Sequence, residues 1–351
     1  MTILALDVGV GTTDVMLVDT RRNLENCTKL VLPSAAQLHA SAVSQATKNK
    51  SDLFMLGDTV GGGPFSRAVR NHLTSGLRVF MTEGAAYSIR NDLDEVRERG
   101  IEVVDAPPID FEGESLWLQE IRLRSLVDFL AESGEAGAID VVAVAVQDHG
   151  VSPKGASNRV TRIERFQQSL MKDRRLESLS YDSESIPEHF LRMRSAAARA
   201  EREMPGAKVF VMDTSLAAAL GCLADPSLRE GDRILAVNIG NGHTLATLVD
   251  SGQVLGMMEA HTRAFDPAKL GRFLEGFLNC RLSNEDVFQD GGHGLFRLEE
   301  RLPAPDRIMV TGPNRALMEG SGLRFCYAAP GGDVMMTGPV GLSRAVPATW
   351  R

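Results

Sequence analysis

The sequence of 351 residues is 43% hydrophobic and only 5% aromatic, with a formal net charge of −8 at pH 7. A chain of this length and apolar content can bury a substantial core and suits two domains, which excludes a disordered protein. Basic and acidic residues are interspersed, and no apolar run approaches the roughly 20 residues of a membrane span, which argues against nucleic acid and a membrane as partners. We therefore expect a soluble, cytoplasmic protein.

Short β-branched runs alternate with helical stretches, which predicts an α/β fold. The predicted strands are 3–8, 14–19, 28–32, 52–56, 77–81, 101–104, 139–147, 208–212, 233–239, 244–250, 253–258 and 307–311. The predicted helices are 35–48, 65–75, 84–99, 115–133, 156–179, 185–203, 214–224, 266–279 and 313–320. Tight turns join the first strands, so we expect a mixed sheet that begins with an antiparallel hairpin, unlike a Rossmann sheet.

Segment 151–205 is the most polar and helical part of the chain. We interpret it as a helical insertion or lid on the first domain and expect its arginines on a solvated face with salt bridges. Four cysteines lie too far apart for a zinc or iron–sulfur motif, namely Cys27, Cys222, Cys280 and Cys326. They are expected to be reduced and partly buried, and a cluster shared across a homodimer axis is the alternative.

Two segments contain the same pattern of a strand, a glycine turn that ends in threonine, and a second strand. They are "ILALDVGVGTTDVMLVD" at 3–19 and "ILAVNIGNGHTL" at 234–245. In the first, Gly9 and Gly11 allow a tight turn whose N–H groups point at an anion, and Thr12 and Thr13 add hydroxyl donors. A carboxylate beside a phosphate requires a cation between them, which makes Asp7 a candidate Mg²⁺ ligand.

The turn at 3–19 resembles the phosphate 1 motif of the actin, sugar kinase and heat-shock-70-type ATPase superfamily, and the turn at 238–244 resembles its phosphate 2 motif. Small-residue helices that cross between domains are matched by "MDTSLAAALGCLADP" at 212–226 and "GGDVMMTGPVGLSRA" at 331–345. An adenosine-binding strand and turn are matched by "RIMVTGPNRALME" at 307–319. The five motifs stand in the order that the superfamily requires.

The resemblance implies a two-domain actin-like ATPase (ribonuclease H-like) α/β fold with mixed sheets and an interdomain cleft. Domain I would comprise 1–224, domain II 225–332, and 333–351 would hold the crossing helix that returns to domain I. ATP and Mg²⁺ are the implied cofactors. The implied nucleotide contacts are Asp7, Gly9, Gly11, Thr12 and Thr13 in the first turn, Asn238, Gly240, Asn241, Gly242, His243 and Thr244 in the second, and Gly312, Pro313 and Asn314 in the third.

The implied reaction is ATP hydrolysis or phosphoryl transfer to a small acceptor, with ATP-driven activation of a partner enzyme as one form of it. Three departures favour an alternative, a non-hydrolysing module that binds a ligand or partner at a decayed nucleotide site. Asn238 replaces the usual aspartate, larger side chains interrupt the glycine run at 240–244, and Pro313 removes a backbone donor.

The segments "AVQDHG" at 145–150, "NIGNGHT" and "TGP" resemble, more narrowly, an uncharacterised prokaryotic family labelled as a pyruvate formate-lyase activating enzyme. The usual activases of that kind are radical SAM proteins with three closely spaced cysteines. No such spacing exists here, so radical SAM chemistry is excluded for this chain.

The strand at 141–150 ends in Gln147, Asp148 and His149, where the superfamily orients or deprotonates the attacking group. We take Asp148 as the leading candidate for a general base, with a turn aspartate that caps the backbone as the alternative.

Two glycine loops and four histidines complete the set of candidates. The loop GGGP at 61–64 is either a second phosphate site or a plain turn, and GGHG at 291–294 is expected to be a mobile lip of the nucleotide site. His149, His243, His261 and His293 each adjoin a glycine or a threonine in a predicted loop. A shared site, catalytic or metal-binding with Asp148, would place His149 and His243 within about 10 Å of each other and of Asp7, and surface positions are the alternative.

Overall fold

The computed structural model describes residues 1–135 and 137–350. In chain order the strands are β1 Thr2–Val8, β2 Thr12–Asp19, β3 Thr28–Pro33, β4 Leu53–Gly57, β5 Val79–Met81, β6 Ile101–Val103, β7 Glu114–Leu118, β8 Val141–Val146, β9 Ser180–Asp182, β10 Lys208–Met212, β11 Ile234–Ile239, β12 His243–Asp250, β13 Gln253–His261, β14 Gly294–Arg297, β15 Arg307–Thr311 and β16 Cys326–Tyr327. The helices are α1 Ala35–Asn49, α2 Pro64–Thr74, α3 Glu83–Ala86, α4 Leu93–Glu98, α5 Leu123–Glu132, α6 Asn158–Leu170, α7 Leu191–Glu203, α8 Thr214–Cys222, α9 Pro267–Leu278, α10 Asn284–Gln289 and α11 Thr337–Ala345. Within these described ranges, no helix has the length and apolar character needed to cross a bilayer.

The first sheet has the strand order β3-β2-β1-β8-β10-β9. Strands β1 to β3 form an antiparallel meander, and β8 and β10 continue the sheet in parallel with β1. Alternate residues of β1 and β8 face two different hydrophobic clusters, because successive side chains of a strand point to opposite faces. The sheet is therefore covered on both faces, as its continuous apolar strands require.

The second sheet has the order β14-β13-β12-β11-β15-β16 and repeats this plan. Strands β11 to β13 form an antiparallel meander, and β15 lies parallel to β11. Two mixed sheets of the same plan with crossing helices between them constitute the predicted two-domain actin-like α/β fold. The domain limits proposed from the sequence stay predictions.

The two crossing helices α8 and α11 pack directly against each other, as their small residues predicted. A Cβ added at Gly221 would lie 1.8 Å from the carbonyl oxygen of Thr337, and one at Gly341 would lie 1.8 Å from that of Ala217. Backbones this close exclude any side chain at these two glycines. Residues of both helices share one hydrophobic core with β1 of the first sheet and β11 of the second.

Each predicted strand is found, with ends that differ by a few residues, but several helices differ from their predictions. The predicted helix 115–133 is wrong at its start, where β7 pairs in parallel with β4 and α5 begins only at Leu123. The side chain of Trp117 is exposed, whereas those of Leu116 and Leu118 on either side are partly and fully buried, as expected for successive residues of a strand. The predicted helix 84–99 is two short helices, since Asp92 caps a new one by accepting from the N–H of Asp94.

The remaining differences concern the extent or type of single elements. The predicted helix 156–179 ends at Leu170, and 313–320 contains a 3₁₀ turn at Arg315–Gly320 instead of an α-helix. Strands β9, β14 and β16 were not predicted, because two to four residues give too little periodicity. Strands β4 to β7 form a separate parallel sheet with the order β6-β5-β4-β7, which the sequence did not distinguish from the rest of domain I.

Segment 151–205 places α6 and α7 on the two faces of the first sheet, where each contributes apolar side chains to a core cluster. The expectation that its arginines form a solvated face is wrong for three of them. The side chains of Arg162, Arg192 and Arg199 are only 1%, 14% and 6% exposed, and each is paired with a buried carboxylate. These ion pairs join neighbouring segments of the chain, and the three side chains do not form a solvated face.

Candidate functional site at the glycine turns

The two predicted phosphate turns have the same local structure. The N–H of Gly9 donates to the carbonyl of Thr12, and the N–H of Gly240 donates to the carbonyl of His243, each at 2.9 Å. Both turns therefore close their hairpins with the same bond at the same position. The repeated sequence pattern is a repeated backbone structure.

The structure brings the two turns into contact. A Cβ at Gly11 would lie 2.6 Å from Nδ2 of Asn241 in the opposite turn. Cβ positions at Gly242 and at Gly63 lie 3.6 and 3.5 Å from methyl carbons of Val10. The second turn and the loop at 61–64 therefore both lie against Val10 of the first turn, and the role of the loop at 61–64 stays a prediction.

The third predicted turn, at 312–314, packs against the second. The N–H of Asn314 donates to the carbonyl of Ile239 at 3.0 Å, and its side-chain amide donates to the carbonyl of Gly240 at 3.0 Å. Gly312 has a φ of +96°, which its lack of a side chain allows. Behind the turn, the buried hydroxyl of Thr244 bonds to that of Thr262, which also donates to the carbonyl of Gly240.

Two carboxylates lie behind the first turn. Asp7 and Asp14 are opposite each other in the β1–β2 register, so both side chains are on one face of the hairpin. Burial and, next, the charge of Asp14 raise the pKa of Asp7 to about 8, although the hydroxyl of Thr214 donates to it. Burial is also the main reason that the pKa of Asp14 is raised to about 7, and its Oδ1 is buried without a hydrogen-bond partner in the described chain.

Strand β8 ends beside these turns with Gln147, Asp148 and His149. The amide nitrogen of Gln147 lies 2.8 Å from Nδ1 of His243, in the second phosphate turn. Asp148 accepts from the backbone N–H groups of Gly150, Arg192 and Met193 at 2.8, 2.8 and 3.0 Å. The bond from Gly150 is the turn-capping role that was the alternative for this residue, and the other two bonds stabilise the start of α7. The catalytic roles assigned to the three residues stay predictions.

Four histidines form one cluster between the sheets. His149 follows β8 of the first sheet, and His243, His261 and His293 belong to or adjoin β12, β13 and β14 of the second. The ring centroids of His149 and His243 are 5.6 Å apart, so the expected proximity of these two rings is confirmed. The rings of His261 and His293 lie 4.7 Å from that of His243, and Nε2 of His149 and of His293 are 3.0 Å apart.

A buried arginine joins the two sheets behind the histidines. The guanidinium of Arg162 bonds to both carboxylate oxygens of Asp213, which precedes α8, and to both of Glu259, on β13. It also donates to the carbonyl of Asp148 at 3.0 Å. Because each partner belongs to a different element, this ion pair fixes the end of β8 relative to the second sheet.

A second buried arginine supports the loop at 61–64. Arg192 pairs with Glu120 at 2.8 Å and donates to the carbonyl of Gln147. Glu120 in turn accepts from the N–H of Gly61 at 2.8 Å. The third glycine loop is therefore held against the end of β8 by a paired charge.

Sequence reasoning missed Asp14, Arg162 and Arg192 as parts of this site. Asp14 could have been found, since counting back from the tight turn places it opposite Asp7 in the hairpin. The two arginines gave no local signal, because their carboxylate partners lie far away in the chain.

The profile of a family described as "Putative pyruvate format-lyase activating enzyme (DUF1786)" matches residues 60–317. No curated protein matches the sequence. Among solved structures, the chain is similar to an inorganic polyphosphate/ATP-glucomannokinase from Arthrobacter sp. strain KM, at 11% identity over 98% of this chain and 97% of that chain, with a TM-score of 0.38.

Two further structures show similar values. The activator of the 2-hydroxyisocaproyl-CoA dehydratase from Clostridium difficile matches at 10% identity over 98% of this chain and 96% of that chain, with a TM-score of 0.31. A ROK hexokinase from Thermus thermophilus matches at 13% identity over 98% and 97%, with a TM-score of 0.33. With sequence identities and TM-scores this low, the substrate or reaction of these proteins is not assigned to the present chain.

Proposed function

We propose that this chain, which belongs to the family described as "Putative pyruvate format-lyase activating enzyme (DUF1786)", binds a Mg²⁺–nucleotide complex where its glycine turns meet and transfers the terminal phosphoryl group. The observation that carries the proposal is the contact between the two hairpin turns, Gly11 against Asn241, with the turn at Gly312 bonded to the second of them. Successive N–H groups of such turns favour an anion.

The two carboxylates fit a divalent cation at this position. Asp7 and Asp14 are buried side by side, and one oxygen of Asp14 has no partner in the described ranges. Like charges this close disfavour ionisation of both groups unless a cation is present. Carboxylate oxygens are the ligands that Mg²⁺ takes, and Mg²⁺ bound there would offset the charge of the phosphates.

The other residues of the site receive roles from their positions. The N–H groups of Gly11 and Gly242 are the proposed phosphate donors, since those of Gly9 and Gly240 close the two hairpins. The turn at 312–314 is the proposed adenosine contact. Gln147 is better placed than Asp148 to orient an attacking water or hydroxyl, because its amide lies at the second turn while the Asp148 carboxylate is engaged by three backbone donors. Thr244 shapes the second turn through its bond to Thr262.

Thermal unfolding with Mg·ATP or Mg·ADP tests the binding. A ligand at about 100 times its Kd stabilises the folded state by about 2.7 kcal/mol, which raises the melting temperature measurably. Asp7→Ala should abolish the rise, and Asp173→Ala, which removes an exposed carboxylate, should retain it. If neither nucleotide at millimolar concentration moves the wild-type melting temperature, the nucleotide site is refuted.

Phosphate release separates transfer from the alternative. Wild-type protein with Mg·ATP, and with candidate small acceptors, should release or transfer phosphate, and Gln147→Leu should reduce the rate at unchanged nucleotide affinity. A melting shift without any turnover would instead favour the non-hydrolysing binding module.

A further inference from the structure

Three imidazoles of the histidine cluster direct nitrogen atoms at one small volume. One ring nitrogen of each of His149, His243 and His293 lies within 4.8 Å of the other two. In a tetrahedral site with metal–nitrogen bonds of about 2.0–2.1 Å, the ligand nitrogens are about 3.3 Å apart. The observed separations therefore need only small side-chain adjustments to reach a coordination shell.

Two nitrogen atoms of this cluster lack partners. Nε2 of His243 and Nδ1 of His293 are buried and accept or donate no hydrogen bond within the described residues. An unpaired buried polar atom costs free energy, and native structures seldom leave one without a function. Two such atoms in adjacent rings indicate a group that the protein alone does not supply.

The charges beside the three imidazoles nearly balance. In its neutral form each imidazole has one lone pair that can bind a metal ion. The two negative charges of Asp213 and Glu259 offset the positive charges of Arg162, with which they pair, and of the nearby Arg159.

Gln147 can form a hydrogen bond with the ring nitrogen of His243 that does not bind the metal. Its side-chain amide lies 2.8 Å from Nδ1 of His243, and the orientation of an amide is assigned from its surroundings. With the amide turned, its oxygen accepts from a protonated Nδ1 and leaves Nε2 of His243 free to bind a metal. Metal-binding histidines commonly donate their second nitrogen in this way.

We propose that His149, His243 and His293 bind a divalent transition-metal ion, in a site distinct from the Mg²⁺ position at Asp7 and Asp14. Imidazole ligands select zinc, iron, cobalt, nickel or copper over magnesium. The half-buried His261 lies at the edge of the cluster, with its ring centroid 5.0 Å from that of His293, and is not part of the group of three. The proposal goes beyond nucleotide binding and does not depend on it.

The test uses full-length protein without a histidine tag and the metal alone. Elemental analysis of the purified protein should find close to one equivalent of a transition metal. After chelation, Co²⁺ should restore one equivalent and give the visible d–d absorption of a nitrogen-coordinated ion, and excess Mg²⁺ should not displace it. Absence of both bound metal and Co²⁺ absorption in the wild type would overturn the proposal.

Single variants locate the site. His149→Gln, His243→Gln and His293→Gln should each weaken Co²⁺ binding at least about tenfold, and Gln147→Leu should weaken it as an outer partner, an effect of about 10–100-fold in known sites. His189→Gln, outside the cluster, is the matched control and should bind as the wild type does. Circular dichroism confirms folding of each variant, and unchanged Co²⁺ affinity in folded His293→Gln would refute the assignment.

Discussion

Replacing Gly221 by alanine tests the packing of the two crossing helices. The new methyl carbon would lie 1.8 Å from the carbonyl oxygen of Thr337 and 2.7 Å from its carbonyl carbon. Non-bonded heavy atoms of this kind rest about 3.5 Å apart, so α8 and α11 must separate by roughly 1.5 Å. The opposing atoms belong to a backbone, which cannot rotate away as a side chain would.

The expected cost follows from this overlap. Overpacking a core typically costs about 1–3 kcal/mol and sometimes more, and we expect the upper end, about 3 kcal/mol, because two helices must shift together. The site should respond as well, since Thr214 at the start of α8 donates to Asp7 and Gly338 of α11 lies against the same carboxylate. Weaker Mg·nucleotide binding should therefore accompany the loss of stability.

Urea unfolding followed by circular dichroism measures the change. Gly206→Ala is the matched control, because a Cβ at Gly206 would meet no atom within 4 Å. Gly341→Ala, opposite Ala217, should behave like Gly221→Ala. If Gly221→Ala lowers the free energy of unfolding no more than the control does, the close helix crossing is not present in solution.

Three further predictions concern charges and ligands. Arg162→Met leaves two buried carboxylates unpaired and should lower the free energy of unfolding by about 3–5 kcal/mol. Arg175→Met, at an exposed ion pair, should change it by less than about 1 kcal/mol. Equal effects of the two substitutions in denaturant melts would contradict this prediction. The raised pKa of Asp14 means that the unfolded chain ionises first, so without metal the wild type loses stability as the pH rises from about 4 to about 7. Asp14→Asn lacks this loss. Between pH 5 and pH 8, its free energy of unfolding should therefore rise by about 2–3 kcal/mol relative to that of the wild type. If the difference between the two proteins stays constant over this pH range, in melts that contain a chelator, the assignment is refuted. Asn238→Asp restores the carboxylate common in the superfamily and should tighten Mg²⁺ binding, and unchanged or weaker affinity by titration calorimetry would mean that the second turn does not face the metal.

The sequence predicted the parts of the fold that depend on local pattern. The hairpins around Gly9 and Gly240 and the glycine contacts of α8 and α11 followed from short motifs, because turns and close helix crossings constrain individual residues. Strand β7 was mistaken for helix because the residues after it are strongly helical, and its parallel partner β4 lies far away in the chain.

The candidate site was predictable only in part, for the same reason. The two phosphate turns were recognised from their glycines, and the proximity of His149 and His243 followed from the ends of their strands. The burial of Arg162 was not foreseen, since its position among polar residues is typical of a solvated helix. Its two carboxylate partners, Asp213 and Glu259, reach it only through the packing of both sheets.

Photolabelling with 8-azido-ATP in the presence of Mg²⁺ tests the central claim most directly, because it locates the nucleotide. The adenine should lie at the turn that follows β15, so saturable label should be found in the tryptic peptides 308–315 and 316–324 and should be prevented by excess unlabelled ATP. Asp7→Ala should abolish this label. Saturable label confined to peptides outside the three turns, or no saturable label, would contradict a nucleotide site at their junction.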